Sequence, residues 1–210
     1  MKSKHEVENS RVYLMDCMEF MKDLPDGYFH LACVDPPYGI GVTSMNMGSR
    51  KTIKPNKNQI WDDATPSDNY FLELFRISAN QIIWGGNYFN LPTSQYFAIW
   101  DKGESMYGRD FAECEYGWVR SGGTRIKKLN PVQLDRIHVT QKPVKLYDWI
   151  FKNYLPDGGK VFDSHLGSGS SRIAADKAGN IDFTGTEIDE DYFKASVDRF
   201  NKYKSQLTLF

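Results

Sequence analysis

Along this 210-residue chain, short compact apolar runs alternate with longer stretches in which apolar positions recur every three or four residues. The first pattern predicts strands and the second helices. Arg11–Asp16 reads as a short strand, and Cys17–Leu24 as an amphipathic helix that stops at Pro25-Asp26-Gly27. His30–Val34 is a continuous apolar run, the mark of a strand buried on both faces, and it ends abruptly at Asp35-Pro36-Pro37-Tyr38. Residues 39–60 are polar, carry Gly39, Gly41, Gly48 and Pro55, and predict a mobile loop. A helix is expected over Tyr70–Ala79, with strands over Gln81–Trp84 and Gln95–Trp100. Across residues 101–136 the pattern weakens, with Gly117, Gly122, Gly123 and Pro131 interrupting short β-like pieces. A helix over Val144–Tyr154 follows Pro143, a residue suited to a first helical position. Then come a strand over Lys160–Asp163, a Gly/Ser turn over His165–Ser171 and a helix over Arg172–Ala178. A strand over Ile181–Ile188 and a final helix over Asp191–Tyr203 complete the series. Strands alternating with helices predict a single α/β domain around a mostly parallel sheet.

Composition changes this picture little. The chain is 40% hydrophobic and 25% charged, ordinary for a globular domain. Its net charge of -1 gives no global positive field, so any nucleic-acid surface must rest on local clusters. Cys17, Cys33 and Cys114 form no CxxC pair, which argues for a reducing compartment. His5, His30, His138 and His165 lack metal-ligand spacing, and no metal site is expected. The start, Met1–Ser10, is polar, and no run of apolar residues is long enough to span a bilayer, so a cytoplasmic protein is expected.

Two segments carry chemistry. The first is Val161–Asp189. A strand ending at Asp163 runs into His165-Leu166-Gly167-Ser168-Gly169-Ser170-Ser171 and then a helix. Glycines there let backbone approach a ligand, and a helix start favours an anionic group. The next strand ends at Glu187, eighteen residues beyond Gly169, where an acid can accept from ribose hydroxyls. Arg172 stands where a dinucleotide fingerprint has its third glycine, which disfavours a nicotinamide or flavin dinucleotide and leaves a mononucleoside cofactor.

The second is Asp35-Pro36-Pro37-Tyr38, at the carboxyl end of a buried strand, where open α/β sheets place ligands. Two prolines stiffen the turn and remove two donors, so the Pro36 carbonyl is aimed as an acceptor. An Asp carboxylate, that carbonyl and the Tyr38 ring together suit an amino group on a planar ring. A rigid turn with an incidental Asp is the plainer alternative.

These residues resemble the amino-group DNA methyltransferases. Asp35–Tyr38 looks like their DPPY motif, Asp163–Ser171 like their DPFxGSGTT cofactor loop, and His138–Leu146 (HVTQKPVKL) like their H-x-TQKP segment. The likeness runs over roughly Arg11–Asn201, with the catalytic motif before the cofactor loop, the permuted order of the family's β group. It implies a single Rossmann-like domain and S-adenosylmethionine as cofactor. Asp35 and the Pro36 carbonyl would accept from the target amino group, with Pro37 stiffening the turn and Tyr38 stacking on the base. Asp163, His165, Gly167, Ser168, Gly169 and Ser170 would line the cofactor, with Lys142 near its methionine end. Glu187 would hold its ribose, and Asp16 would meet its adenine, although an Asp at a strand end is also a common helix cap. Ser164-His165 departs from the family's Pro-Phe and loses an aromatic wall. An Asp at the head of the motif favours adenine N6 as target. The rivals are cytosine N4 and a non-catalytic DNA- or clamp-binding adaptor on the same fold.

Double-stranded DNA is the partner this implies, its base leaving the stack for reaction. Two basic clusters suit its phosphates: Arg50, Lys51, Lys54 and Lys57 in the loop, and Arg120, Arg125, Lys127 and Lys128 in the short target-recognition region, residues 101–136. So short a region suggests a homodimer that shares the work. At the tail, residues 204–210, Gln206-Leu207-Thr208-Leu209-Phe210 resembles the peptide by which bacterial proteins dock on the sliding clamp.

Overall fold

The computed structural model describes residues 3–41, 62–109, 112–131, 136–138 and 140–207. These form a nine-stranded sheet in the order β1-β2-β9-β8-β3-β4-β6-β5-β7. The strands are β1 (Lys4–Val7), β2 (Ser10–Leu14), β3 (Phe29–Val34), β4 (Ser78–Trp84), β5 (Tyr96–Asp101), β6 (Cys114–Val119), β7 (Arg125–Lys128), β8 (Gly159–Asp163) and β9 (Ile181–Glu187). The helices are α1 (Cys17–Met21), α2 (Asp68–Ile77), α3 (Val144–Tyr154), α4 (Ser170–Ala178) and α5 (Glu190–Leu207). Five pairings are parallel, and three are antiparallel: β1/β2, β4/β6 and β5/β6. The expected mostly parallel α/β sheet is what forms.

Each strand side finds its own cover. Leu31 and Cys33 of β3 point into a core built with Leu146, Tyr147 and Ile150 of α3 and Ala174 and Ala175 of α4. Ala32 and Val34 point the other way, to Met21 of α1 and Tyr70, Phe71, Leu74 and Ile77 of α2. A strand covered on both faces needs apolar residues at every position, which is why β3 reads as an unbroken run.

The connections run outward from the middle of the sheet in opposite directions. β3 passes through α2 to β4 on one side, and β8 passes through α4 to β9 on the other. Because β3 and β8 are neighbours, their carboxyl ends open a crevice between two diverging connections. This is where doubly wound sheets bind ligands.

β1 falls outside the elements expected from the sequence. It pairs with β2 through a tight turn in which Asn9 takes a positive φ of 48°, and its side chains alternate exposed and half-buried. An edge strand in contact with water on both sides has no apolar period to reveal it. The last helix also runs further than expected, through Gln206 and Leu207, with Asp189 capping its start by accepting from Asp191 N and Tyr192 N.

Candidate functional site

The loop after β8 is tied to its own surroundings before it meets any ligand. Asp163 is buried, and its two oxygens accept from His165 N (3.1 Å) and Ser171 Oγ (2.5 Å). It braces the turn and does not line the adjoining cavity. Thr186 Oγ1 of β9 donates to the Ser164 carbonyl, and Leu166 N donates to the Thr186 carbonyl. Gly167 (φ 50°) and Gly169 (φ 70°) take left-handed backbone, so the turn can fold back before α4 begins at Ser170. Arg199 of α5 holds the turn from behind, donating to the Ser168 carbonyl and Ser170 Oγ at 2.9 Å each.

A cavity of about 280 Å³ opens beside this turn. His165, Gly167, Ser168 and Ser170 line it from the loop, Glu187 and Ile188 from the end of β9, Lys142 from the segment before α3, and Asp35 and Pro37 from the end of β3. The three motif segments, far apart in the chain, therefore converge on one space. Glu187 Oε2 accepts from Gly167 N (2.8 Å) and Oε1 from Asp189 N (3.0 Å). Burial pushes its carboxyl up to about 7, against the pull of those amides.

Ser164 and His165 make good part of what a Pro-Phe pair would supply. Ser164 Oγ sits 2.6 Å from Tyr70 Oη and 2.8 Å from His165 Nδ1, and Tyr70 packs edge-on against the imidazole at 5.5 Å. Burial lowers His165 to about 4, so the ring stays neutral at pH 7 and serves as a flat wall.

At the end of β3 the Asp-Pro-Pro-Tyr turn is pinned from both sides. Buried Asp62 accepts from Tyr38 N (2.8 Å) and Gly39 N (3.0 Å) through one oxygen. Asp35 Oδ1 accepts from Tyr38 Oη (2.6 Å), and Oδ2 lies 2.5 Å from Lys142 Nζ. Burial pushes the Asp35 carboxyl up, while Lys142 pulls it back. Pro36 and Tyr38 do not line the cavity. The Tyr38 ring lies parallel to that of Tyr88, with centroids 4.9 Å apart. Gly85 abuts the same ring, since a Cβ built there would fall 2.2 Å from Tyr38 Cε1.

Other expected residues sit elsewhere. Asp16 caps α1, accepting from Met18 N (2.6 Å) and Glu19 N (3.4 Å), and does not line the cavity. Arg120 and Arg125 flank the turn at residues 121–124, whose Gly123 carbonyl accepts from Tyr154 Oη at the far end of α3. Lys127 and Lys128 lie further along β7, level with Trp100 and Asp101, and Lys128 pairs with Glu104 at 2.8 Å. Arg50, Lys51, Lys54 and Lys57 lie outside the described residues, as do most of residues 39–60 and the tail residues 208–210.

Sequence reasoning missed Asp62, Tyr88, Glu115, Tyr192 and Ile188. Ile188 carried a signal: an apolar residue directly after a strand-end acid, left 66% exposed at the cavity rim. Glu115 carried none, being one charge among several in a weakly patterned segment.

Fold and site together define a Rossmann-like methyltransferase. A family model described as DNA methylase, covering N6 and N4 enzymes, matches residues 48–198, and the chain belongs to that family. The match begins beyond Tyr38, so the Asp35–Tyr38 motif rests on its own residues. YubD of Escherichia coli (strain K12), a methylase by name, is 24% identical over 90% of this chain and 89% of its own. The type II methyltransferase M2.DpnII of Streptococcus pneumoniae is 23% identical over 77% of this chain and 55% of its own. Among solved structures, the M1.HpyAVI–SAM complex superposes with a TM-score of 0.62 at 15% identity, covering 91% of this chain and 99% of that one. The cytosine-N4-specific PvuII DNA methyltransferase superposes at 0.61 with 13% identity, over 92% and 87% of the two chains.

Proposed function

We propose that this protein transfers a methyl group from S-adenosylmethionine to the N6 amino group of an adenine swung out of double-stranded DNA. One observation carries the reading: the Asp35 carboxylate and the Gly167–Glu187 cradle face the same cavity, so an amino group held by the first lies beside a nucleoside held by the second.

The residues fit that cofactor. The Gly167–Gly169 turn leads into the positive end of α4, suited to an amino acid carboxylate. Each Glu187 oxygen, already taking one backbone amide, keeps a lone pair for a ribose hydroxyl. Exposed Ile188 offers an apolar face to the adenine ring. When bound, S-adenosylmethionine supplies an electrophilic methyl on a cationic sulfur.

What the chain contributes is orientation and charge. Asp35 accepts an amino hydrogen from within the cavity, which localises the nitrogen lone pair as the nitrogen becomes tetrahedral. Positioning and fixed acceptors of this kind account for most of the acceleration in such transfers. Lys127 and Lys128, at the carboxyl end of β7, suit phosphate contacts that place the duplex.

The test is transfer of tritiated methyl to genomic DNA from a methylation-deficient host, followed by digestion to nucleosides. Label in N6-methyldeoxyadenosine is expected. Label in N4-methyldeoxycytidine would move the target to cytosine, and no label would reject methylation.

A further inference from the structure

Asp35 meets a partner through each of its oxygens. Tyr38 Oη donates to Oδ1 and Lys142 Nζ holds Oδ2. Each oxygen keeps a second lone pair, but an ammonium against Oδ2 draws on its electron density and repels the hydrogens of an arriving amino group. Lys142 cannot simply withdraw into water, because its side chain is 3% exposed. A buried ammonium that leaves one anion must find another.

A second carboxylate stands ready. Glu115 of β6 places Oε2 3.0 Å from Lys142 Nζ, and that oxygen is buried with no aligned hydrogen bond. Its other oxygen, Oε1, is held at 2.9 Å by Lys102 Nζ, whose ammonium lies 5.4 Å from the centre of the Trp100 ring. The two lysines and two acids form a line, Asp35–Lys142–Glu115–Lys102, in which the charges cancel. Lys142 also lies over the Tyr38 and Trp84 rings, at 5.8 and 5.6 Å, so the space between the two acids is walled by aromatic faces.

We infer that Glu115 is a positioning residue that takes Lys142 over from Asp35 when a target amino group arrives, leaving Asp35 Oδ2 free to accept an N–H. This rests on the amino-group methylation proposed above. The hand-off requires only the lysine terminus to turn, since both carboxylates already lie within reach of it. The ammonium keeps one anion throughout, while the Asp35 carboxylate keeps the Tyr38 hydroxyl and gains the arriving N–H. Burial pushes Asp35 up, whereas Glu115, although buried, is held below the ordinary carboxylate range by Lys142 and Lys102. Lys102, on the far oxygen of Glu115, holds that carboxylate in place to receive the lysine. It also lies in the segment expected to read DNA, on a strand between β4 and β5, which places the hand-off where substrate binding can be felt.

The test compares wild type, Glu115→Gln and Glu115→Asp, with tritiated S-adenosylmethionine and unmethylated genomic DNA. Cofactor affinity and thermal melting are measured beside turnover. In Glu115→Gln the lysine has lost its second anion and stays on Asp35. Its kcat should fall at least tenfold, toward the roughly hundredfold loss that a small misplacement at a reacting centre costs. Cofactor affinity and KM for DNA should not change, and Glu115→Asp should recover part of kcat. If Glu115→Gln does not fold, Glu115→Asp alone should show a smaller fall confined to kcat. Normal kcat in a folded Glu115→Gln, or loss of cofactor affinity in step with kcat, overturns the inference. An inactive wild type instead overturns the methylation reading itself.

Discussion

The Tyr38 ring is stacked on the Tyr88 ring, 12° from parallel with centroids 4.9 Å apart, so the face proposed to hold the target base is already covered. No base fits between rings at that separation. Tyr88 belongs to the turn Gly86–Tyr88, is 45% exposed, and its hydroxyl has no partner among the described residues. Little holds it, and an arriving base should displace it. Stacking of this kind is worth about 0.5–1.5 kcal/mol. Tyr88→Ala should therefore tighten binding of an unstacked-base substrate by up to roughly tenfold, the factor that 1.4 kcal/mol sets. Fluorescence anisotropy with a mismatched duplex measures this. Weaker binding would show that Tyr88 stays in place and forms a second wall.

Removing the Asp35 acceptor separates chemistry from cofactor binding. Asp35→Asn keeps the shape of the turn and one hydrogen-bond acceptor but loses the charge that draws on the amino hydrogens. Turnover should fall on the order of a hundredfold or more, as for loss of other preorganised transition-state partners. Cofactor affinity, measured by calorimetry, should stay close to wild type, because Glu187 and the loop remain. A parallel loss of both would mean that Asp35 holds the cofactor.

For Asp16 the family likeness and the structure point in different directions. Its carboxylate accepts from Met18 N and Glu19 N at the start of α1, a five-residue helix that needs its cap. Asp16→Ala should cost about 1 kcal/mol of stability, the usual loss for an N-cap, and leave cofactor affinity unchanged. Chemical denaturation and calorimetry on the same samples decide it. A stable variant with weakened cofactor binding would restore the adenine contact.

How far the sequence carried the fold depended on burial. β3 and α3 lie in the core and were legible, because only a continuous apolar run or a 3.6-residue period survives there. β1 and β7, the two sheet edges, read KHEV and RIKK and gave no period, since water reaches them. In the site, Asp35 was legible from the prolines that stiffen its turn and Glu187 from its place at a strand end beyond the Gly167–Gly169 turn, whereas Lys142 came only from the family likeness of its segment. Asp62 and Glu115 act across the fold, from far along the chain, and only the pairing of β4 with β6 and the return of the chain at Asp62 place them. Arg172 was noted only for the glycine it replaces. It proves to be fully buried, with Nε donating to Ser10 Oγ at 2.8 Å and Phe200 stacked under its guanidinium, so it ties α4 to the edge hairpin and α5.

Glu187 makes cofactor binding depend on pH. Burial raises its carboxyl from 4.5 to about 7, so the folded protein holds a proton there that the unfolded chain has already released. Between those values the folded state binds more protons, and stability must fall as pH rises. The full span corresponds to about 3 kcal/mol, at 1.36 per unit. Ribose hydroxyls donate to a carboxylate, so the cofactor binds best to the ionised form, and its affinity should rise as pH climbs through 7. The contribution of Glu187 to stability thus falls across pH 5–8 while cofactor affinity tightens, and the difference between wild type and Glu187→Gln isolates the first of these. Glu187→Gln, unable to ionise, should flatten the affinity profile and bind cofactor more weakly. Thermal melts and calorimetry at pH 5, 6, 7 and 8 measure the two trends independently. A wild-type affinity that does not vary with pH would remove Glu187 from the ribose, whatever its effect on stability.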